Sequence, residues 1–80
     1  MLSVVVELMA AVRNPFPNKK RKITVELSTG LSLKDIFIKI GFLEEELNLL
    51  VPIVNGKRRR IDHQPKNGDH IFITLPIGGG

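Results

Sequence analysis

The sequence has no cysteine, no tryptophan and no tyrosine, and its only aromatic residue, phenylalanine, occurs four times in 80 residues. Without cysteine there is no disulfide to staple a small core, no thiolate metal site and no cysteine nucleophile. Without tryptophan or tyrosine the chain lacks the stacking platforms that grip single-stranded nucleic acid, and no phenylalanine interleaves the basic runs "NKKRK" (18–22) and "KRRR" (57–60). No apolar run approaches the roughly 20 residues that cross a bilayer, and "MLSVVVELMA" lacks the basic start of a secretory signal. A cytoplasmic protein without a membrane segment is expected. The few serines fall at strand starts and caps, and no nucleophile, base and orienting group come together, so the chain is not expected to be an enzyme.

What is present makes one domain. A chain of 80 residues, 42% of them hydrophobic, buries only about 60% of its unfolded surface and has room for a single core. The formal charge of +4 suits an acidic partner, whether nucleic acid or an acidic protein face. Most basic runs are solvated loop charges, and "KRRR" would also guard an edge strand. Electrostatic docking on a protein is preferred here to nucleic-acid binding. Asp62, His63, Asp69 and His70 lie beside turns without metal-ligand spacing, so they are read as turn residues and no metal site is expected.

Along the chain, "LSVVVELMA" (2–10) alternates Val4, Val6 and Leu8 on one face with Val5, Glu7 and Met9 on the other, which reads as a strand. "AVRNPFPNKKRK" blocks helix and ladder alike and reads as a mobile polar loop. "ITVEL" returns as a second strand. Ser32 and Asp35 have capping-box spacing, Leu33, Ile36, Phe37 and Ile40 form an apolar stripe, and Gly41 can close the helix in a left-handed cap. "LEEELNLL" suggests a further helical turn with Glu44 to Glu46 solvated at its start. "VPIVNGKRRRI" carries an Asn-Gly hairpin signal, with Pro52 confined to a strand start or edge. "IFITLP" (71–76), apolar on both faces, reads as a central strand. The order is ββαββ, an α+β fold with one main helix packed on a small mixed sheet.

That order, joined to "VNG", "KNGD" and a closing "PIGGG", resembles the β-grasp, ubiquitin-like sulfur carriers of the ThiS and MoaD families. "ELMAAVRN", "TGLSLKDIF" and "IDHQPKNGDHIFITLPIGGG" look like the MoaD branch, while three glycines after an apolar residue also fit the ThiS branch. The resemblance implies a β-grasp domain over residues 1–75 and a flexible tail over 76–80. It implies that an ATP-dependent, ubiquitin-activating-type enzyme (ThiF/MoeB-like) adenylates the carboxyl of Gly80. A sulfur donor would then convert it to a thiocarboxylate for an acceptor synthase in a molybdopterin, thiazole or tRNA thiolation pathway. ATP is consumed by that partner, and no cofactor is bound by this chain. Gly79, Gly78, Ile77 and Pro76 would be recognised as the tail, and Met9, Arg58 and Thr74, with Lys57, Arg59 and Arg60, would meet partners. Two other uses of the same fold stay open: a protein modifier joined through Gly80 to a lysine, and a basic RNA-binding module.

The residues suit such a tail. Glycine has no Cβ, so a narrow tunnel could admit Gly78, Gly79 and Gly80, while Pro76 fixes φ where the tail leaves its strand. Extended, residues 76–80 would reach about 17 Å, and ordering them would cost about 1 to 2 kcal/mol per residue.

Overall fold

The alternation in "LSVVVEL" becomes strand β1, Leu2–Leu8, in the computed structural model, which describes residues 1–76. Leu2, Val4, Val6 and Leu8 are buried and the residues between them half-buried. Strand β2, Lys22–Leu27, returns antiparallel beside it, with Val4 opposite Val25 and Val6 opposite Ile23. Three more strands complete the sheet: β3 (Val51–Val54), β4 (Lys57–Arg58) and β5 (His70–Thr74), in the spatial order β2-β1-β5-β3-β4. The last strand runs parallel to the first and antiparallel to β3. The expected α+β arrangement is thus present, and β5 is central in the ladder.

One helix, α1 (Leu33–Ile40), covers one face of this sheet, and its ends follow from local chemistry. The Ser32 hydroxyl accepts the Asp35 N–H at 3.2 Å, and the Asp35 carboxylate accepts the Ser32 N–H at 3.1 Å and its hydroxyl at 3.0 Å. These bonds hold the Asp35 carboxyl below the usual range, the backbone N–H of Ser32 contributing most. Two other free N–H groups of the first turn, those of Leu33 and Lys34, donate to the carbonyls of His63 and Ile61. At the other end Gly41, at φ 115°, turns the chain left-handed. A Cβ there would also come within 3.0 Å of the Pro15 side chain. Leu33, Ile36 and Phe37 are fully buried against Val4, Val6, Ile71 and Ile73.

The Asn55–Gly56 turn has φ of 51° and 84°, the pair of positive angles of a type I′ hairpin. Pro52 lies within β3, yet no bond to the central strand β5 is lost. Its carbonyl accepts the Arg59 N–H on the β4 side, while the Asn55 N–H donates to the His70 carbonyl on the β5 side. Alternation therefore aims the proline nitrogen toward the edge, where the return bond to Arg59 is the one it cannot make and the pairing of β4 stops.

Two regions differ from the sequence expectation. The segment between β1 and β2 is pinned to the body: Val12 and Phe16 are buried in the core, and the Arg21 guanidinium donates to the carbonyls of Met9 and Val12 at 2.9 Å each. Its prolines break secondary structure without preventing burial of the apolar residues between them. Glu46 is not a solvated charge either. It lies in a 3₁₀ helix, Glu44–Leu49, and takes Arg13 in a bidentate pair, Nε to Oε2 at 2.9 Å and Nη2 to Oε1 at 2.6 Å. Arg13 also donates to the Gly41 carbonyl at 3.0 Å and sits 5.9 Å from the Phe42 ring centroid. One guanidinium thereby joins the loop, the end of α1 and the 3₁₀ helix. The hydrogen bond from Arg13, more than that from the Leu43 N–H, keeps the Glu46 carboxyl below its ordinary value.

Removing the loop anchor should tell: Phe16→Ala is expected to lower stability by about 3 kcal/mol, whereas Lys20→Ala on the same loop should stay within about 0.5 kcal/mol, both read from urea denaturation. Acid provides a second measurement. Because the folded-state value of Glu46 is depressed, the pair's contribution is complete above the ordinary glutamate range and is lost as pH falls through the folded-state value. The urea midpoint of the wild type should therefore fall more steeply below about pH 4 than that of Glu46→Gln.

Candidate functional site

With α1 on one face, strand register determines what the other face displays. Lys22, Glu7, Phe72, Ile53 and Arg58 are neighbours in one row across all the strands. Thr24, Val5 and His70 form the row on one side of it, and Thr74 with Val51 the row on the other. Val5, Val51, Ile53 and Phe72 are half-buried, so the centre of this open face is apolar while its two ends carry Lys22 and Arg58. Glu7 and His70 stand among these apolar residues on the same open face, with His70 Nε2 at 2.8 Å from Glu7 Oε1.

The sequence-derived docking residues distribute unevenly over this surface. Arg58 and Thr74 lie on the open face, and the Thr74 hydroxyl donates to the Val51 carbonyl at 3.1 Å. Met9 lies just past the end of β1, half-buried against the main core, and its N–H donates to Ile73 at 2.9 Å. Lys57, opposite Val54, belongs to the other side of β4. Arg59 and Arg60 follow the strand, fully exposed, with Arg60 Nε 3.7 Å from Asp62 Oδ1. The three arginines Arg58, Arg59 and Arg60 rim an open cleft of about 560 Å³ whose apolar part comes from Leu47, Leu50 and Pro52.

Phe72, Ile53, Val51 and Val5 were not singled out from sequence. The run "IFITLP" reads as apolar on both faces and as a central strand, and α1 covers only the side of Ile71 and Ile73. The period of two within the run, which sets Phe72 and Thr74 against Ile71 and Ile73, is the signal that separates them.

The strand that carries Phe72 also leads to the tail. Regular pairing of β5 stops at Thr74, Leu75 stays half-buried against the core, and Pro76 is exposed. Ile77, Gly78, Gly79 and Gly80, the remaining residues of the expected tail, lie outside the described residues.

Asp69 and Asn67 organise the turns around the start of β1 and β5. Asp69 accepts the Asn55 side-chain amide and the Lys66 N–H, each at 2.8 Å, and Asn67 accepts the Ser3 N–H at 2.8 Å. Among the described residues no group of three or more histidine, cysteine, aspartate or glutamate side chains is placed to hold a metal ion, and no helix is long and apolar enough to cross a membrane.

No family model and no curated protein matches the chain by sequence. Solved structures do match it by fold. A putative molybdopterin converting factor subunit 1 from Pyrococcus furiosus superposes with a TM-score of 0.72 at 21% identity, over 96% of this chain and 100% of that one. SAMP1 from Haloferax volcanii gives 0.71 at 16% identity, covering 98% of this chain and 99% of its own. A chain from the complex of subunits 1 and 2 of molybdopterin-converting factor from Helicobacter pylori gives 0.61 at 22% identity, over 99% and 100%. This chain has a mixed five-stranded sheet with β1 and β5 parallel at its centre and one helix across a single face, and with these structures it shares the ubiquitin-like β-grasp fold.

Proposed function

We propose that the chain is a sulfur carrier that works through the carboxyl of Gly80. The observation that supports the reading best is the course of β5. One strand presents Phe72 on the uncovered, apolar face and then releases the chain at Pro76, so a partner docked on that face would have the tail beside its own site. The fold shared with molybdopterin converting factor subunit 1 and SAMP1 agrees with carrier use, and the molybdopterin, thiazole and tRNA thiolation pathways all stay open as destinations for the sulfur.

The chemistry then runs in two steps. A carboxylate is a poor electrophile, so an activating enzyme of the ThiF/MoeB type joins the Gly80 carboxylate to the α-phosphorus of ATP, with pyrophosphate leaving. Sulfur from a persulfide or sulfide donor attacks the acyl carbon, AMP departs with the bonding electron pair, and reduction of any intermediate disulfide by an external thiol frees the thiocarboxylate. Its sulfur is the nucleophile passed to the acceptor synthase. This chain supplies the docking face and a tail without side chains at Gly78, Gly79 and Gly80, and ATP is bound by the partner.

Incubation with an activating enzyme of this type, ATP and a sulfur donor should exchange one carboxyl oxygen for sulfur, visible by intact mass. Higher-mass lysine adducts in extract would instead point to use as a protein modifier. Gly79→Ala should leave the urea midpoint unchanged and reduce adenylation at least about tenfold, as a side chain in a narrow channel would. Phe72→Glu should weaken partner binding without removing the tail's chemistry. Persistence of full adenylation in Gly79→Ala, or no adenylation of the wild type by any activating enzyme of the host, would sink the reading.

A further inference from the structure

The two edges of the sheet are built differently. β4 is two residues long and both are basic, so it offers little backbone and repels a second copy of itself. β2 is six residues long, with no proline, no bulge in its pairing to β1 and no element of the described chain along its outer side. The Leu8 N–H donates to the Arg21 carbonyl at 2.7 Å, and the pairing continues through Val6 with Ile23 and Val4 with Val25. Antiparallel ladders alternate inward and outward backbone groups, so Arg21, Ile23 and Val25 face β1 while the N–H and C=O groups of Lys22, Thr24 and Glu26 point out of the sheet.

We propose that this edge pairs with β2 of a second copy of the chain, antiparallel about a two-fold axis at Thr24. That register sets Thr24 opposite Thr24 of the other copy, Lys22 opposite Glu26 and Glu26 opposite Lys22. The three residues whose backbone groups point outward are then the three that form hydrogen-bonded pairs, and each side chain meets its complement on the same face. Neither Lys22 nor Glu26 has an ion-pair partner among the described residues. On the helix side the half-buried Ile23 and Val25 meet each other across the axis and lose their remaining exposure. A two-residue slip in either direction sets Lys22 or Glu26 against Thr24 and breaks both Lys22–Glu26 pairs; in one direction Glu26 then faces Lys20, which lies before the strand, so only the Thr24-centred register pairs both charges within β2. The interface is self-complementary, as a closed two-fold dimer requires. The product is one continuous sheet with β4 at both ends. Both open faces and both copies of β5 stay uncovered, so the pairing is independent of the function proposed above.

The full chain is examined at ionic strength near 0.15 M, where the +4 charge of each copy is screened beyond about 8 Å. Sedimentation over a concentration series should show a monomer–dimer equilibrium. Lys22→Glu and Glu26→Lys should each weaken it by about tenfold or more, since each places like charges opposite at both ends of the interface. The double variant carrying both changes should restore it, with far-UV circular dichroism unchanged throughout. The chain has no cysteine, so Thr24→Cys provides a register test: mild oxidation should link two copies through it quickly, because directly opposed strand residues fall within disulfide reach. Ser28→Cys, at the exposed end of the edge, should link slowly. A monomer at all concentrations, a dimer indifferent to the single reversals, or no rescue by the double variant would overturn the proposal. So would a chain that stays monomeric and binds an unrelated extended peptide along β2.

Discussion

The parallel pairing of β1 with β5 is the contact on which the rest of the molecule depends. It joins the two ends of the chain at the centre of the sheet, Val5 beside His70 and Val6 beside Ile71. Two parallel strands cannot be joined by a tight turn, so everything between them must cross over and return. α1 makes that crossing and its apolar stripe seals the side facing Val6 and Ile71. β2 and β3 extend the sheet on either side, and the turn at Asn67 and Gly68 fastens the start of β1 through both backbone groups of Ser3. A contact of such long sequence separation carries a large loop-closure entropy cost, which the helix and the hairpins between its two strands help to offset.

How much of this was legible depended on distance along the chain. α1 could be read to the residue because its signals are local: Ser32 and Asp35 cap it, and Gly41 ends it. The Asn55–Gly56 hairpin was equally plain. The pinned loop was not, since its prolines and lysines suggested solvent while Val12 and Phe16 found space in a core made by other elements. Nor could the Arg13–Glu46 pair be seen, because the two residues are 33 positions apart and meet only after α1 and the 3₁₀ helix are in place. For the candidate surface the sequence carried both the period of two in "IFITLP" and the single main helix, but not which side of β5 that helix would cover. With a single helix, one side of β5 stays bare, and Phe72 becomes a surface residue in the middle of the sheet.

The same shortage of chain accounts for the division of labour over the surface. An 80-residue domain has apolar material to cover one face of a sheet and not two. Its open face has an apolar middle between Lys22 at one edge and Arg58 at the other, a composition suited to recognition rather than to packing. On the covered side Arg13 adds polar bonds to the loop, the helix end and the 3₁₀ turn, whose apolar residues Phe16, Phe42 and Leu47 already share the core.

The direction of β5 bears on how the domain responds to force. β1 and β5 run the same way, so a pull on Pro76 against an anchored Leu2 acts along both strands. The bonds from the Val5 N–H to Asp69 and from the Met9 N–H to Ile73 mark the two ends of that seam. All the bonds between them are loaded together, in shear, whereas a hairpin opened from its end parts one bond at a time. A partner that pulled on Pro76 while the start of β1 was held would therefore meet this seam in the loading where its bonds resist together.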